Sequence, residues 1–145
     1  MYSLHSKFVI LGVANGWNDR KGLCVFEELS LKLPYYTFIL VGNMPYNRCV
    51  SKNIIKISTT NSTHELCKFY SRANVFLNLS LQETFGKVAA EALSCGTPVI
   101  ANNATANPEI IGPGCGYVIN NNNIDEIISC IELIKQNEKS FYSNK

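Results

Sequence analysis

Two carboxylates, Glu83 and Glu91, stand eight residues apart in the segment 83–101. The apolar pattern predicts Glu83 in a loop and Glu91 inside the helix that follows, so about 12 Å separates them at roughly 1.5 Å per residue. That distance suits the two ends of an elongated ligand better than a pair of carboxylates flanking one bond. Gly86 permits close backbone approach at the predicted helix start, where free N–H groups favour an anion. The segment therefore predicts a binding site for a diphosphate.

Arg20 and Lys21 form a second group suited to phosphate. They lie where a predicted loop, Ala14 to Arg20, meets a predicted helix, Lys21 to Leu33. The helix dipole disfavours a cation at this end. A bound anion therefore explains Lys21 better than a plain surface position does, while for Arg20 both readings stay open.

Strands and helices alternate along the whole chain. Short apolar runs predict six strands, over residues 8–13, 37–42, 53–57, 74–79, 97–101 and 116–119. Helical spacing predicts helices over residues 21–33, 62–72, 85–94, 106–111 and 124–136, with Ser62 and Glu65 spaced as a capping box and Gly96 as a C-cap. This order predicts an α/β fold, a Rossmann-like doubly wound parallel sheet of about six strands with helices on both faces.

Such a sheet binds ligands at the carboxyl ends of its strands. The loops that follow the first and fourth predicted strands hold both groups of candidate residues, those around Lys21 and those around Glu83. The fold and the chemistry therefore point to the same edge of the molecule.

Length and composition favour a single globular domain. The chain has 145 residues, 46% hydrophobic and 17% charged, with a net charge of +2 that is scattered along it. This excludes a basic stripe for nucleic acid, and no apolar run is long enough to span a membrane. We expect a domain over residues 1–137, a fraying polar tail over 138–145, and a cytoplasmic location.

The six cysteines show no CxxC motif and fall mostly within apolar patterns. The sequence predicts that they are buried thiols, not joined in disulfides, in a reducing compartment. The two histidines, His5 and His64, stand at no metal-ligand spacing from a cysteine. We therefore expect no metal site.

The pattern E-x-F-G-x-x-x-x-E-A-L-x-C-G-x-P-V-I-A over residues 83–101 resembles the C-terminal, donor-binding domain of retaining glycosyltransferases. These are enzymes of the GT-B fold, built from two Rossmann-like domains, of the bacterial family 4 or "glycosyl transferases group 1" type. Further matching pieces are Arg20-Lys21-Gly22, Tyr70-Ser71-Arg72-Ala73 and Pro108-Glu109-Ile110. The resemblance implies that the chain is one half of a GT-B enzyme.

The resemblance also implies a role for each candidate. Glu83 would act in catalysis by holding the hydroxyls of the donor sugar, and Lys21 by neutralising the leaving diphosphate. Glu91 would bind the ribose, and the backbone around Thr84, Phe85 and Gly86 would hold phosphate or sugar. The substrate would be a nucleotide-diphosphate sugar, with no cofactor and no metal.

The chain departs from the family in two ways. An arginine usually precedes the lysine by several residues, but the position five before Lys21 is Gly16 and the nearest arginine is Arg20. We also expect the acceptor-binding N-terminal Rossmann domain of the family to be absent from this chain. We therefore expect transfer of a hexosyl group to a lipid- or saccharide-linked acceptor only with that domain, fused or in a separate chain. Contact with the inner face of the membrane would come through this partner, and the chain alone would be inactive.

Two other functions compete with this hypothesis. One is a non-catalytic nucleotide-binding or interaction module derived from the same domain. The other is a dinucleotide-dependent oxidoreductase, which is disfavoured because the first predicted strand leads into Gly12-Val13-Ala14-Asn15-Gly16-Trp17 and not into GxGxxG.

Overall fold

The computed structural model describes residues 7–45, 51–58, 62–80, 87–103, 115–120 and 122–143, with the side chains of residues 63, 87–89 and 138–143 outside the description. The helix predicted over residues 106–111 lies outside the described residues.

Six parallel strands form one sheet in the order β3-β2-β1-β4-β5-β6. The strands are β1 Val9–Gly16, β2 Thr37–Asn43, β3 Ile54–Ile57, β4 Val75–Asn78, β5 Val99–Asn102 and β6 Gly116–Ile119. The register pairs Leu11 with both Ile39 and Phe76, so β1 lies at the centre between the two halves. The predicted six-stranded Rossmann-like sheet is confirmed.

In the described residues, four helices cover the two faces of the sheet: α1 Leu23–Lys32, α2 Thr63–Arg72, α3 Lys87–Ser94 and α4 Ile124–Ser143. Helix α2 begins where predicted, because the Ser62 hydroxyl accepts a hydrogen bond from the Glu65 N–H at 3.2 Å. Helix α3 ends at Ser94, and Gly96, two residues further on, has the left-handed φ of 81° that is typical of the residue after a helix.

Two separate apolar cores lie on opposite sides of the sheet. Alternate residues along each strand point to opposite faces, so Phe38 and Leu40 join one core while Ile39 and Val41 join the other. Residues of α1 and α4 complete the first core and residues of α2 and α3 the second; examples are Phe26 and Ile131 in the first, and Tyr70 and Ala92 in the second. The helices therefore cover both faces, as the alternating pattern predicted.

Several boundaries differ from the sequence-based ones, and three of them are the most informative. Strand β1 continues to Gly16 instead of ending at Val13. Helix α1 begins at Leu23 and not at Lys21, because Asp19–Lys21 form a separate 3₁₀ turn that ends at left-handed Gly22. Helix α4 runs to Ser143 instead of ending at Gln136. Residues 137–143 contain no glycine or proline to stop a helix.

The prediction of buried cysteines is wrong. Among the described residues, Cys24, Cys67 and Cys115 are exposed, and Cys95 and Cys130 are half-buried. None of these five forms a disulfide, as predicted. In the part of the chain that the structure covers, no helix has both the length and the apolar character needed to cross a bilayer.

Candidate functional site

The strand order places a switch point between β1 and β4, at the carboxyl end of the sheet. From β1 the chain proceeds outward to β2 and β3, and it then returns to β4 on the other side of β1. The helices that follow these two strands, α1 and α3, pack on opposite faces of the sheet, and such a switch point is where open α/β sheets bind ligands. Lys21 follows β1, and residues 81–86 follow β4.

Local hydrogen bonds shape the turn that holds Lys21. The Asn18 side chain accepts a hydrogen bond from the Lys21 N–H at 3.1 Å, and the Gly22 N–H donates to the carbonyl of Asp19 at 3.1 Å. The side chain of Arg20 is exposed and that of Lys21 half-buried. The turn therefore fixes the backbone beside Lys21 and leaves Arg20 in solvent.

Trp17 anchors this turn to the core. Its indole N–H donates to the Val41 carbonyl at 3.1 Å, its backbone N–H donates to the Asn43 carbonyl at 2.8 Å, and its ring is 4% exposed. The ring packs edge-on against Phe26 of α1 at 5.3 Å between centroids. The start of the turn is thus held rigidly against β2 and α1.

Gly22 brings the Lys21 turn against the end of β4. A Cβ atom at Gly22 would lie 2.6 Å from the Leu79 Cβ and 3.1 Å from the Leu79 carbonyl oxygen, and its φ is +87°. Only glycine meets both demands without strain. Since Leu79 and Ser80 lead directly into residues 81–86, the structure joins the loop of Lys21 to the start of the segment that carries Glu83.

The loop between β6 and α4 also contacts Leu79. The amide of Asn122, between β6 and α4, donates to the Leu79 carbonyl at 2.9 Å, and Asn122 has a left-handed φ of 52°. Sequence analysis missed Asn122 because it stands within a run of asparagines that looked merely compositional. Its pairing with a residue 43 positions away leaves no local pattern.

Glu91 lies half-buried on α3. Its carboxylate accepts a hydrogen bond from the Tyr70 hydroxyl of α2 at 3.3 Å. The Tyr70 side chain is 1% exposed, and its ring is in edge contact with Phe76. Sequence analysis missed the second role of Tyr70, which is to hold one oxygen of Glu91.

The other predicted site residues, Glu83, Thr84, Phe85 and Gly86, lie outside the described residues. Polar side chains also lie buried at the carboxyl ends of β4 and β5: Asn78 at the end of β4, Ser80 two residues further on and Asn102 at the end of β5. Within the described part of the chain, no three histidine, cysteine or carboxylate side chains cluster as metal ligands. Of the predicted site residues, the structure thus describes Arg20 and Lys21 in the turn after β1 and Glu91 on α3.

The sheet order defines a Rossmann-like α/β domain with a topological switch point between β1 and β4. The chain belongs to the family "Glycosyl transferases group 1", whose model matches residues 23–143.

A curated relative is the O-antigen chain mannosyltransferase B of Escherichia coli, 40% identical over 63 residues, which are 43% of this chain and 16% of that protein. The curated relatives extend far beyond this chain, which covers between 14% and 31% of their lengths.

Two solved structures share the fold. The C-terminal domain of a glycosyl transferase group 1 family protein, LpcC of Francisella tularensis, is 23% identical with a TM-score of 0.76, over 92% of this chain and 78% of that one. HepE of Anabaena in complex with UDP-glucose is 18% identical with a TM-score of 0.79, over 94% of this chain and 41% of that one. The fold is therefore that of GT-B glycosyltransferase domains.

Proposed function

We propose that the chain is the C-terminal, donor-binding domain of a retaining GT-B glycosyltransferase of the bacterial family 4 type, with residues 1–137 forming the domain. It binds a nucleotide-diphosphate sugar in the crevice between the Lys21 turn and residues 81–86. The observation that carries the proposal is the contact between Gly22 and Leu79. That contact joins the turn holding Lys21 to the chain leading into Glu83, so one ligand can reach both.

The chemistry assigned to these residues follows from the charge that develops in the reaction. As the bond between the sugar and the diphosphate breaks, negative charge grows on the leaving diphosphate. Lys21, with Arg20 in place of the missing upstream arginine, offsets that charge together with backbone amides near Thr84, Phe85 and Gly86. Glu83 holds the sugar hydroxyls while Glu91 takes the ribose, and no metal or other cofactor takes part.

The comparisons support the ligand and the domain assignment. HepE was solved in complex with UDP-glucose, which supports a nucleotide sugar as the ligand. The chain covers 78% of a solved C-terminal domain from this family, which supports the assignment of this half. The chain covers 31% and 16% of two curated relatives, so those proteins hold further sequence beside this domain. In this proposal an acceptor-binding Rossmann domain, fused or in a separate chain, completes hexosyl transfer to a lipid- or saccharide-linked acceptor and contacts the cytoplasmic face of the membrane.

Titration calorimetry with UDP, GDP and ADP in EDTA tests the donor site. We expect weak binding of at least one of them without magnesium. Glu91→Ala removes a charge-assisted hydrogen bond, worth about 1.5–3 kcal/mol, and so weakens binding about tenfold or more. Glu91→Gln keeps the shape of the side chain and an acceptor for Tyr70, and it separates loss of charge from loss of packing.

Glu28→Ala is the matched control, since Glu28 is an exposed glutamate on α1. Its nucleotide affinity should equal that of the wild type. Unchanged affinity in both Glu91 variants, with the fold intact, would remove Glu91 from the site. No binding of any nucleoside diphosphate at millimolar concentration would refute the donor-domain proposal.

Transfer assays with radiolabelled donor and an acceptor extract test whether the chain needs an acceptor-binding domain. A catalytic site with only one wall leaves the reactants poorly positioned and open to water. We expect negligible transfer by the chain alone and transfer when an acceptor-binding domain is supplied, fused or in trans. Rapid turnover by the chain alone would contradict the proposal.

A further inference from the structure

Two cysteines from different elements face each other at the surface. Cys67 lies on α2, and Cys95 follows the last residue of α3. Their sulfur atoms are 3.1 Å apart although the residues are 28 positions apart in sequence. A disulfide bond is about 2.05 Å long, so the sulfurs need to approach by only about 1 Å.

We propose that Cys67 and Cys95 form a reversible modification site, oxidised to an intramolecular disulfide by a small anionic disulfide. Neither cysteine belongs to the nucleotide site described above. The proposal depends on the position and accessibility of the pair, and the role assigned to Glu91 does not enter it.

The surroundings of Cys67 suit an anionic reagent. Cys67 is exposed and lines an open surface depression of about 390 Å³ together with Lys68, Arg72, His64 and Ser71. His64, Lys68 and Arg72 are spaced four residues apart on α2, so they lie along one helix face. Lysine and arginine carry positive charge at neutral pH, which raises the local concentration of a carboxylate-bearing disulfide.

The two thiols differ in their surroundings. The hydrogen bond with Cys67 raises the pKa of the Cys95 thiol, and partial burial raises it further. The Cys95 thiol is therefore harder to deprotonate than an ordinary cysteine thiol. Cys67, which is exposed and lines the depression, is the thiol that an external disulfide meets first.

The reaction balances without any further oxidant. The Cys67 thiolate attacks one sulfur of the small disulfide, whose sulfur–sulfur bond breaks and releases one small thiolate. Cys95 then gives its proton to solvent and attacks the Cys67 sulfur, which releases the second small thiol. The two protein thiols lose two electrons in total, and the small disulfide gains them as it becomes two thiols.

The new bond would join the elements that also carry the Tyr70–Glu91 contact. Cys67 lies three residues before Tyr70 on α2, and Cys95 lies four residues after Glu91. The hydrogen bond between Tyr70 and Glu91 already links these elements. Oxidation adds a covalent link close to it and restricts the movement of α3 relative to α2.

The test treats the reduced 145-residue chain with glutathione buffers of increasing oxidised fraction, followed by acid quenching, intact mass and peptide mapping. We expect the loss of two hydrogen atoms, a cross-linked peptide containing Cys67 and Cys95, and reversal by dithiothreitol. The melting temperature should rise by roughly 5–10 °C on oxidation, since a disulfide restricts the unfolded chain.

Three variants sharpen the result. Cys24→Ser changes another exposed cysteine and should behave as the wild type. Cys95→Ser should accumulate a glutathione adduct at Cys67 that the wild type resolves, and Cys67→Ser should form no cross-link. Stable adducts on wild-type Cys67 without a cross-link, or a cross-link no more frequent than those involving Cys24, would overturn the proposal. Because the wild-type reaction alone gives these readouts, the test stands even if a variant fails to fold.

Discussion

The amino edge of the sheet, where its parallel strands begin, and the carboxyl edge, where they end, are built in different ways. At the amino edge, the side chain of the residue directly before a strand forms hydrogen bonds with neighbouring elements. Asn53, before β3, donates from Nδ2 to the carbonyls of Ser30, Leu33 and Tyr36 at 3.0, 3.2 and 3.1 Å. These carbonyls belong to the end of α1 and to the turn that leads into β2, so a single side chain closes that corner.

The same arrangement recurs before two more strands. The Asn74 side chain, before β4, accepts a hydrogen bond from the backbone N–H of Val9 at 2.8 Å. Tyr36, before β2, donates to a carboxylate oxygen of Glu132 on α4 at 2.8 Å. The amino edge is therefore closed by side chains that satisfy each other and the backbone.

The carboxyl edge also has hydrogen-bonding side chains, those of Trp17 and Asn122, and there some backbones approach closely. A Cβ atom at Gly42, near the end of β2, would lie 1.9 Å from the Ala14 carbonyl oxygen, and Gly22 meets Leu79 in a similar way. Gly22, Gly42 and Asn122 all have positive φ. Strained or glycine-dependent backbone is typical of ligand sites. Under the proposed function the amino edge stabilises the domain and the carboxyl edge binds the ligand, so substitutions at the two edges should have different effects.

The largest effect is expected from Gly42→Ala. The added methyl group would meet a backbone oxygen, which cannot rotate away, at a φ of +134°. Left-handed strain and overpacking together should lower the free energy of unfolding by about 3–5 kcal/mol. Urea denaturation measures this. Gly16→Ala is the control, because a Cβ atom added there would have no other atom within 4 Å, and it should stay within about 0.5 kcal/mol of the wild type. Equal stability of both variants would contradict the close approach.

Asn53→Ala should weaken the amino edge of the sheet and leave the carboxyl edge unchanged. It removes the donor shared by three carbonyls and should cost about 2 kcal/mol of unfolding free energy. Nucleoside diphosphate affinity should not change, because Asn53 lies at the opposite edge from the crevice. Calorimetric titration and urea denaturation report the two quantities, and Lys52→Ala, at the exposed neighbouring position, is the control. If Asn53→Ala lost as much nucleoside diphosphate affinity as Lys21→Ala, the two edges would not have separate roles.

Lys21→Ala should give the opposite result. Loss of the cation beside the diphosphate should weaken nucleotide binding about tenfold, or about 1.4 kcal/mol, with little change in unfolding. Lys32→Ala is the control. Lys32 is an exposed lysine in the last turn of α1, and this variant should bind nucleotide as the wild type does. Arg20→Ala decides whether Arg20 replaces the missing upstream arginine: a similar loss means that it does. Normal binding by Lys21→Ala would remove Lys21 from the site.

The smallest effect is expected from Tyr36→Phe. Burial, then the hydrogen bond and charge of Glu132, raise the pKa of Tyr36 from 10.0 to about 12. The contact therefore contributes fully below pH 10 and is lost as the pH rises towards 12. Because the group is partly exposed, its contribution should be about 0.5 kcal/mol.

The pH dependence of unfolding, compared between variants, isolates this contact. Lys135, whose Nζ lies 3.4 Å from the Tyr36 hydroxyl, is present in both proteins. The difference between wild type and Tyr36→Phe should shrink between pH 10 and 12. Tyr35→Phe, at a side chain 88% exposed, should match the wild type throughout. A difference that stays constant over this range would exclude the Tyr36–Glu132 contact as its cause.

Much of the architecture could be predicted from local sequence. Apolar runs indicated the six strands, and the caps at Ser62 and Gly96 indicated the start of one helix and the end of another, because capping depends on residues three or four positions apart. The errors have local causes as well. Asn18 and Gly22 make a separate turn that a hydrophobic pattern does not reveal, and the polar end of α4 remains helical because polarity does not stop a helix.

The sequence by itself determined the fold class and the helix on which Glu91 stands, because strand and helix periodicity are local properties. Only the tertiary structure decided the strand order and the contacts of Leu79 with Asn122, Glu91 with Tyr70, and Cys67 with Cys95. These pairs are 43, 21 and 28 positions apart. Such contacts form when helices and strands pack on a common sheet, and no preference of a short segment encodes which distant side chain it will meet.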